Sequence, residues 1–507
     1  MVLNFNSIYD LIYLNAGGRA LRLSALINYQ DLSSIALISE DPEILGLTTD
    51  SRKIQPGFLF AAIPGSRVDG RNYIPEAIAN GAVVVLTTPN IIECAVGILR
   101  DKNPRRQLAL IAARFYGKQP KICVAVTGTN GKTSVADFTR QIWNSAGYLA
   151  ASIGTLGITI EDIITNPNLT TPDAVELHRT LHNLVQININ HAVLEASSHG
   201  LDQSRLDGVD IKAAAFTNLT RDHFDYHVNI EDYRTAKLSL FEKVMPPGGT
   251  AVINIDSPEF NNFCEAAKHN QHKILSYGMR PSARLRIIRQ RIQSNGQEVE
   301  ITIDGNYYLI KMALLGNFQA WNALCALGLA ISSGTPIRLA LEALPFLTSV
   351  RGRLERVAVL ENEATIYVDY AHTSDALRTV LQAMRPHTSG KLWCILGCGG
   401  DRDPGKRSIM GATAGEYADR TIITDDNPRS EDPASIRAAI LAACKNGVEI
   451  ADRRTAIYET IAQLDTGDVL IIAGKGHENV QEINGIKYSL NESYIVRDAI
   501  AAQKYLG

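Results

Sequence analysis

The sequence is short of charge of either sign, of long apolar runs and of cysteine, and each shortage excludes something. Fifty Lys and Arg against fifty-three Asp and Glu leave a formal net charge of −3, so no basic field marks a nucleic-acid partner. No run approaches the roughly 18–20 apolar residues that span a bilayer. The start, MVLNFNSIYDLIYLNAG, lacks the basic stretch and apolar core of a secretory signal, and a cytoplasmic location is expected. Seven cysteines, at Cys94, Cys123, Cys264, Cys325, Cys394, Cys398 and Cys444, are odd in number and lack the paired close spacings of zinc sites. They read as reduced, mostly buried thiols; Cys394, in the apolar run LWCIL, reads as core rather than as half of a metal pair with Cys398. Short repeats and low-complexity tracts are also missing.

What is present is the composition of a soluble globular protein, 45% hydrophobic and 20% charged. A chain of 507 residues exceeds the roughly 250–300 residues at which single cores stop growing, so two to four domains are expected. Pattern separates three sections, 1–120, 121–347 and 348–507. The first mixes strand-like GFLFAAI and GAVVVLT with a helical segment near Ile74–Asn80 and predicts a small α/β domain. Gly117-Lys118-Gln119-Pro120 suits a joint. The second alternates apolar runs at His191–Ala196, Ala213–Leu219 and Thr250–Ile255 with helical stretches, the pattern of a doubly wound, mostly parallel sheet. The third repeats the plan with Thr365–Tyr370, Leu392–Leu396, Arg420–Thr424 and Asp468–Ala473, each ending in a turn rich in Gly, Asp, Asn or His. Parallel sheets bind ligands at the carboxyl ends of their strands, so chemistry is sought in those turns.

The most specific local feature is KICVAVTGTNGKTSVADFTRQIW, a buried strand, a Gly-rich turn and a helix with Val135, Phe138 and Ile142 on one face. In Gly128-Thr129-Asn130-Gly131-Lys132-Thr133, the glycines let backbone N–H groups point at phosphate oxygens and the helix offers its positive end. Lys132 can neutralise the β/γ-phosphates and the Thr133 hydroxyl can hold Mg²⁺. The generic spacing would put Gly at Val126, so this is a shorter variant. An ordinary Gly turn does not account for the Lys-Thr pair. The loop predicts nucleotide binding without naming the reaction.

Two clusters stand nearby. Glu195-Ala196-Ser197-Ser198-His199-Gly200 places a carboxylate, two hydroxyls and an imidazole at a strand end. A serine hydrolase lacks support, because no Gly-x-Ser-x-Gly elbow is present and neighbours on one strand face opposite ways. A carboxylate beside Mg-ATP more often holds metal. Asn218 through His227, NLTRDHFDYH, is followed by a helix carrying Tyr233, Lys237 and Phe241. Taken singly these charges read as solvated; together they do not.

With those motifs, LTTP at 169–172, EASSHGLDQSRLDG at 195–208, GNFQAWN at 316–322, VRGRLE at 350–355, DYAHTSDAL at 369–377, GCGGDRDPGKR at 397–407, DNPR at 426–429 and GKGHE at 474–478, the chain resembles the Mur ligases of peptidoglycan synthesis over nearly its whole length. Among them it resembles the branch that adds meso-diaminopimelate to the D-glutamate of UDP-N-acetylmuramoyl-L-alanyl-D-glutamate. Ser374 stands where the family usually has Pro, and Gln319 where it usually has Asn. The resemblance implies an N-terminal domain for the UDP end, a central ATPase domain and a C-terminal Rossmann-like domain that brings the amino acid, with roles in cell wall biogenesis, cell shape and cell division. It implies UDP-substrate contacts at Thr49, Ser51, Ser66, Arg67, Val68, Thr170, Thr171, Ser197, Gln203 and Arg205. It gives Glu195 and His223 as magnesium ligands and Lys237 as a carbamate that helps hold a second Mg²⁺. Asn322, Arg353 and Asp369 are implied to contact ATP as the domains close. DNPR resembles the signature of diaminopimelate users: Asp426, Asn427, Pro428 and Arg429 would meet that substrate, with Arg429 gripping its far carboxylate by a planar two-pronged contact. Arg407, Gly474 and Glu478 match further contacts to it, Glu478 suiting its distal ammonium.

The implied chemistry is acyl phosphate formation from the γ-phosphoryl of ATP, with Lys132 and Mg²⁺ stabilising the transferring group, followed by attack of the amine. A lysine-adding Mur ligase, a ligase like folylpolyglutamate synthetase and a P-loop nucleotide switch are the other readings; the first section and DNPR argue against the synthetase, lysine offers no second carboxylate to Arg429, and a switch predicts ATP hydrolysis without amino-acid dependence. No nucleic-acid or membrane partner is expected.

Overall fold

The computed structural model describes residues 20–28, 34–36, 41–65, 68–91, 95–161, 163–165, 169–222, 224, 226–293 and 296–506. Near the N-terminus, four parallel strands lie in the order Gly97–Arg100, Ala82–Thr87, Phe58–Ala61, Gly46–Thr48, with Ser34–Ala36 antiparallel at the edge. The helix Pro104–Tyr116 starts where the Asn103 side chain accepts from Arg106 N–H, and Pro104 fills the first helical position, where a missing N–H costs nothing. Its Leu108, Ile111, Ala112 and Phe115 close the core over that sheet. Its far end meets the next section, because His182 Nδ1 lies 2.6 Å from the Tyr116 carbonyl.

Among the described residues the central sheet has eleven strands. Its parallel heart runs Ala150–Gly154, His191–Glu195, Ile122–Thr127, Ile211–Phe216, Thr250–Asn254, Lys273–Gly278. Strands of this kind are buried on both faces, which is why ICVAVT and IKAAAF read as apolar runs rather than alternations. The helices Lys132–Ser145 and Phe318–Ser332 cover one face with Phe138, Trp143, Leu324 and Leu327, and Ala174–Gln186 and Phe260–His269 cover the other with Leu181 and Phe263. Each such fully buried large side chain stabilises the fold by about 2–3 kcal/mol relative to exposure.

The sheet is more mixed than its parallel heart. Gly157–Ile160 and Ile163–Ile164 extend one edge antiparallel, and Leu285–Gln293, Gly296–Ile303 and Asn306–Met312 form a meander at the other. The C-terminal sheet runs Glu355–Val359, Thr365–Asp369, Val469–Ala473, Leu392–Leu396, Arg420–Ile423, Gly447–Glu449, parallel except for its first strand. Helices lie on both its faces. Ser198 and His199 lie on a short helix, Ser198–Asp202, capped by Ser197, and not on the preceding strand; the geometry assumed in weighing them against a serine hydrolase does not apply. Six of the cysteines are free and buried, Cys394 and Cys398 among them, and Cys94 lies outside the described residues. Among the described residues no helix is long and apolar enough to cross a membrane.

Candidate functional site

The carboxyl ends of parallel strands from two sheets face one another across a cavity of about 800 Å³. On the central side it lies at the topological switch point, where Ile122–Thr127 sits between His191–Glu195 and Ile211–Phe216. The phosphate loop follows the middle strand and is strapped from the turn that ends its neighbour Ile211–Phe216. Asn130 N–H donates to Asn218 Oδ1 at 2.9 Å, and Thr217 Oγ1 donates to the Asn130 carbonyl at 2.6 Å. Thr129, Asn130, Gly131, Lys132 and Thr133 line the cavity; Gly128 lies behind them and its carbonyl accepts from Lys132 Nζ at 2.9 Å and Lys237 Nζ at 2.8 Å.

Two ammonium groups on one carbonyl repel. Lys237 is 1% exposed; burial, and next the charge of Lys132, hold its pKa well below that of an ordinary lysine. Burial lowers Lys132 too, against the pull of Glu195 and Asp222. Lys237 reaches this place from the helix Ile230–Ser239, with its Nζ 4.3 Å from the centre of the Tyr233 ring.

Glu195 ends its strand with a fixed carboxylate. Oε2 accepts from Thr133 Oγ1 and Thr155 Oγ1, both at 3.0 Å, and Oε1 accepts from Thr155 N–H at 2.8 Å. Gly154 permits this, since a Cβ there would lie 2.1 Å from Oε1. His223 lies outside the described residues, among which no group of three His, Cys, Asp or Glu could hold a metal. The carboxylate and hydroxyl oxygens of Glu195 and Thr133 are the donor type that Mg²⁺ prefers, so the residues present fit that ion.

Thr170, Thr171, Ser197 and Arg205 line the same cavity. Thr171 Oγ1 donates to the Glu195 carbonyl at 2.7 Å, and Arg205 donates to the Thr171 carbonyl at 2.6 Å and to Gln203 Oε1 at 2.7 Å. Gln203 itself stands behind, donating to Tyr226 Oη. Thr49, Ser51 and Val68 belong to the N-terminal section, away from this cavity; Ser51 donates to Glu76 at 3.0 Å, while Thr49 and Val68 are exposed. Ser66 and Arg67 lie outside the described residues.

From the C-terminal side, Arg353 Nη2 donates to Thr133 Oγ1 at 3.0 Å, with its guanidinium 4.3 Å above the Tyr370 ring and its Nε buried without a partner among the described residues. Asp369 accepts from the N–H groups of Leu354 and Ala371; burial still pushes its pKa up, against Arg353. Asn322 is held by Gln319, whose Oε1 accepts from its Nδ2 at 2.9 Å. Ser374 opens the helix Ser374–Met384, a first position that tolerates Pro equally.

The far wall carries Asp426, Asn427, Arg429, Gly474 and Glu478. Arg429 has a left-handed φ of 53° and donates to the Gly400 carbonyl at 2.6 Å. Arg407 and Pro428 are behind the wall, Arg407 paired with both oxygens of Glu431 at 2.8 Å.

Sequence reasoning gave no role to several groups that converge here. Thr155 fixes Glu195, Asp375 accepts from Asn130 Nδ2 at 3.3 Å, Asp403 pairs with Arg221 at 3.2 Å, and Lys406 donates to the His372 carbonyl. The last three bridge sections or turns far apart in the chain; only the motifs NLTRDH, DYAHTSDAL and GCGGDRDPGKR could have drawn attention to them.

Fold and site define a class, enzymes in which a P-loop sheet and a Rossmann-like domain close on a shared cavity to couple nucleotide cleavage to a second reaction. Family models match in chain order: "Mur ligase family, catalytic domain" at 43–116, "Mur ligase middle domain" at 126–330 and "Mur ligase, glutamate ligase domain" at 352–476. The chain is 48% identical over 459 residues to the UDP-N-acetylmuramoyl-L-alanyl-D-glutamate--2,6-diaminopimelate ligase of Caulobacter vibrioides, covering 89% of this chain and 94% of that one. It is 49% identical over 464 residues to the ligase of the same name from a Chelativorans species, covering 91% and 96%. A solved structure of a ligase of that name matches with a TM-score of 0.70 at 34% identity, covering 96% of this chain and all of the other. The chain belongs to the Mur ligase family, the ATP-dependent ligases that form amide bonds.

Proposed function

We propose that the protein joins meso-diaminopimelate to the D-glutamate of UDP-N-acetylmuramoyl-L-alanyl-D-glutamate, using ATP, in the assembly of peptidoglycan precursors in the cytoplasm. The observation that carries this reading is the single cavity in which the phosphate loop faces Asp426, Asn427, Arg429 and Glu478. The domains proposed are 1–120 for the UDP end, 121–347 for ATP and 348–507 for the amino acid, a division supported by one large sheet in each.

A carboxylate resists nucleophiles because of its charge and its poor leaving group; a γ-phosphoryl transferred to it removes both obstacles. Lys132 and Arg353 then place positive charge along the transferring group, where positioning and electrostatics supply most of the catalysis. Asn322 and Asp369 stand on the rim that the nucleotide would occupy. Mg²⁺ held by Thr133, Glu195 and His223 would neutralise phosphate charge. The lowered pKa of Lys237 favours a neutral amine, which can add to carbon dioxide, forming an N–C bond and releasing one proton; the resulting carbamate gives the site another acidic oxygen pair. Thr170, Thr171, Ser197, Gln203 and Arg205 hold the acceptor peptide, with Thr49, Ser51, Ser66, Arg67 and Val68 towards its nucleotide end. Arg429 binds the distal carboxylate of the amino acid and Glu478 its distal ammonium, with Arg407, Asp426, Asn427, Pro428 and Gly474 shaping that pocket.

The deciding measurement is phosphate release from ATP with the UDP-linked dipeptide and diaminopimelate, lysine or no amino acid. Release that needs both dipeptide and diaminopimelate is the expected result. Release indifferent to the amino acid, or equal with lysine, overturns the assignment.

A further inference from the structure

Behind the wall that carries Asp426, Asn427 and Glu478 lies a lysine that no step above uses. Lys475 is 0% exposed and does not line the cavity. Its Nζ donates to Asn427 Oδ1 and to Glu478 Oε2, both at 2.9 Å. Asn427 Nδ2 donates to the same Glu478 oxygen at 2.9 Å, and Asn427 Oδ1 also accepts from Glu482 N–H at 3.0 Å. Lysine, amide and carboxylate therefore close a triangle in which both donors meet Oε2, and Oε1 takes neither bond. A wholly buried ammonium is tolerated only when it is paired and hydrogen-bonded, and its partners are fixed in return. Burial raises the Asp426 carboxyl, but Lys475, followed by Arg453 and Lys406, outweighs it and keeps the group below its ordinary value. One cation thus serves two acidic groups of the wall.

We propose that Lys475 is a positioning residue for the amino-acid substrate, locking the Glu478 carboxylate in the orientation that receives a substrate ammonium. The proposal rests on the diaminopimelate reading of this wall. Without the lysine, Glu478 keeps only its amide donor among the described residues, and Asp426 loses the largest of the charges that offset its burial.

The test is a double-mutant cycle on the full-length enzyme with Lys475→Met, Glu478→Gln and both, following KM for diaminopimelate, KM for ATP and kcat. Losing a charge-assisted bond to a buried group corresponds to a rise of about tenfold or more in KM for diaminopimelate. KM for ATP is expected to stay within about twofold, and the double variant to be no worse than Glu478→Gln alone, as for residues acting through one another. Effects that multiply independently, an equal rise in KM for ATP, or an unchanged or lower KM for diaminopimelate overturn the proposal. If Lys475→Met does not fold, Lys475→Gln, which keeps a donor without the charge, takes its place under the same criteria. Parent enzyme whose turnover ignores diaminopimelate refutes the parent reading instead, so the two failures are distinguishable.

Discussion

At the scale of the residue, two side chains carry most of the proposed specificity and chemistry. Arg429 reaches the cavity from a backbone with φ of 53°, and its Nη1 is anchored on the Gly400 carbonyl, which pre-orients the guanidinium fork. A charge-assisted contact with a carboxylate is worth about 1.5–3 kcal/mol, so Arg429→Ala should raise KM for diaminopimelate by roughly ten- to a hundredfold. KM for ATP, bound across the cavity, should hardly move; steady-state kinetics with each substrate varied in turn checks this, and parental kinetics for the amino acid would remove Arg429 from the site. Lys237 makes a different argument. A fully buried ammonium 2.8 Å from a carbonyl that already accepts from Lys132 is a poor resting state, and a neutral amine ready for carbamylation is a better one. Lys237→Ala should therefore lose activity by about two to three orders of magnitude, the scale of removing a charged group from a phosphoryl-transfer site. Formate or acetate should restore part of it by supplying the missing acid. No recovery with any small carboxylate speaks against the carbamate.

At the scale of the element, the phosphate loop is where sequence and structure agree most fully, for a physical reason. Its geometry is local: a buried strand, two glycines and an amphipathic helix within one stretch of chain dictate where the N–H groups point. Gly128 has φ of 149°, and a Cβ there would meet Thr217 Oγ1 at 1.9 Å. Gly128→Ala must displace either the loop or the Thr217 strap, so ATP binding measured by calorimetry should weaken by about a hundredfold or more, at a cost near 3 kcal/mol. Elements defined by partners distant in sequence were harder to read. The meander at the far edge was written in the alternation of EVEITI and in the turn Asp304-Gly305 between two strands. The Ser198–Asp202 helix was signalled only by Ser197 as a cap. The Arg453–Glu492 pair, 0% exposed on both sides, and Lys475 could not be read at all as buried, because isolated Arg, Lys and Glu are ordinarily surface residues.

At the scale of the molecule, the central and C-terminal sections meet across the cavity through a small set of contacts. Leu315 and Phe318 of the central section pack on the C-terminal core. Around them, Arg353 reaches Thr133, Asn130 reaches Asp375, Arg221 pairs with Asp403 at 3.2 Å, and His372 faces Asp222 at 3.8 Å. At the start of the connecting segment, the Gln141 side chain holds both the N–H and the carbonyl of Thr348. That clamp ties the start of the segment to the central section. Arg221 is more than half exposed, and such pairs are worth about 0–1 kcal/mol and weaken with salt. On the proposed reading, a nucleotide touching the phosphate loop on one side and Arg353 on the other would join the two sections directly and add to these contacts. In small-angle scattering, the ligand-free protein should expand as salt rises from about 0.05 M to about 0.5 M, over which the screening length shrinks several-fold. Saturating Mg-ATP should then restore the smaller radius of gyration at high salt. A radius that responds to neither salt nor nucleotide would mean that the apolar contact at Leu315 and Phe318 suffices to hold the sections together, and that substrates enter and leave without their separation.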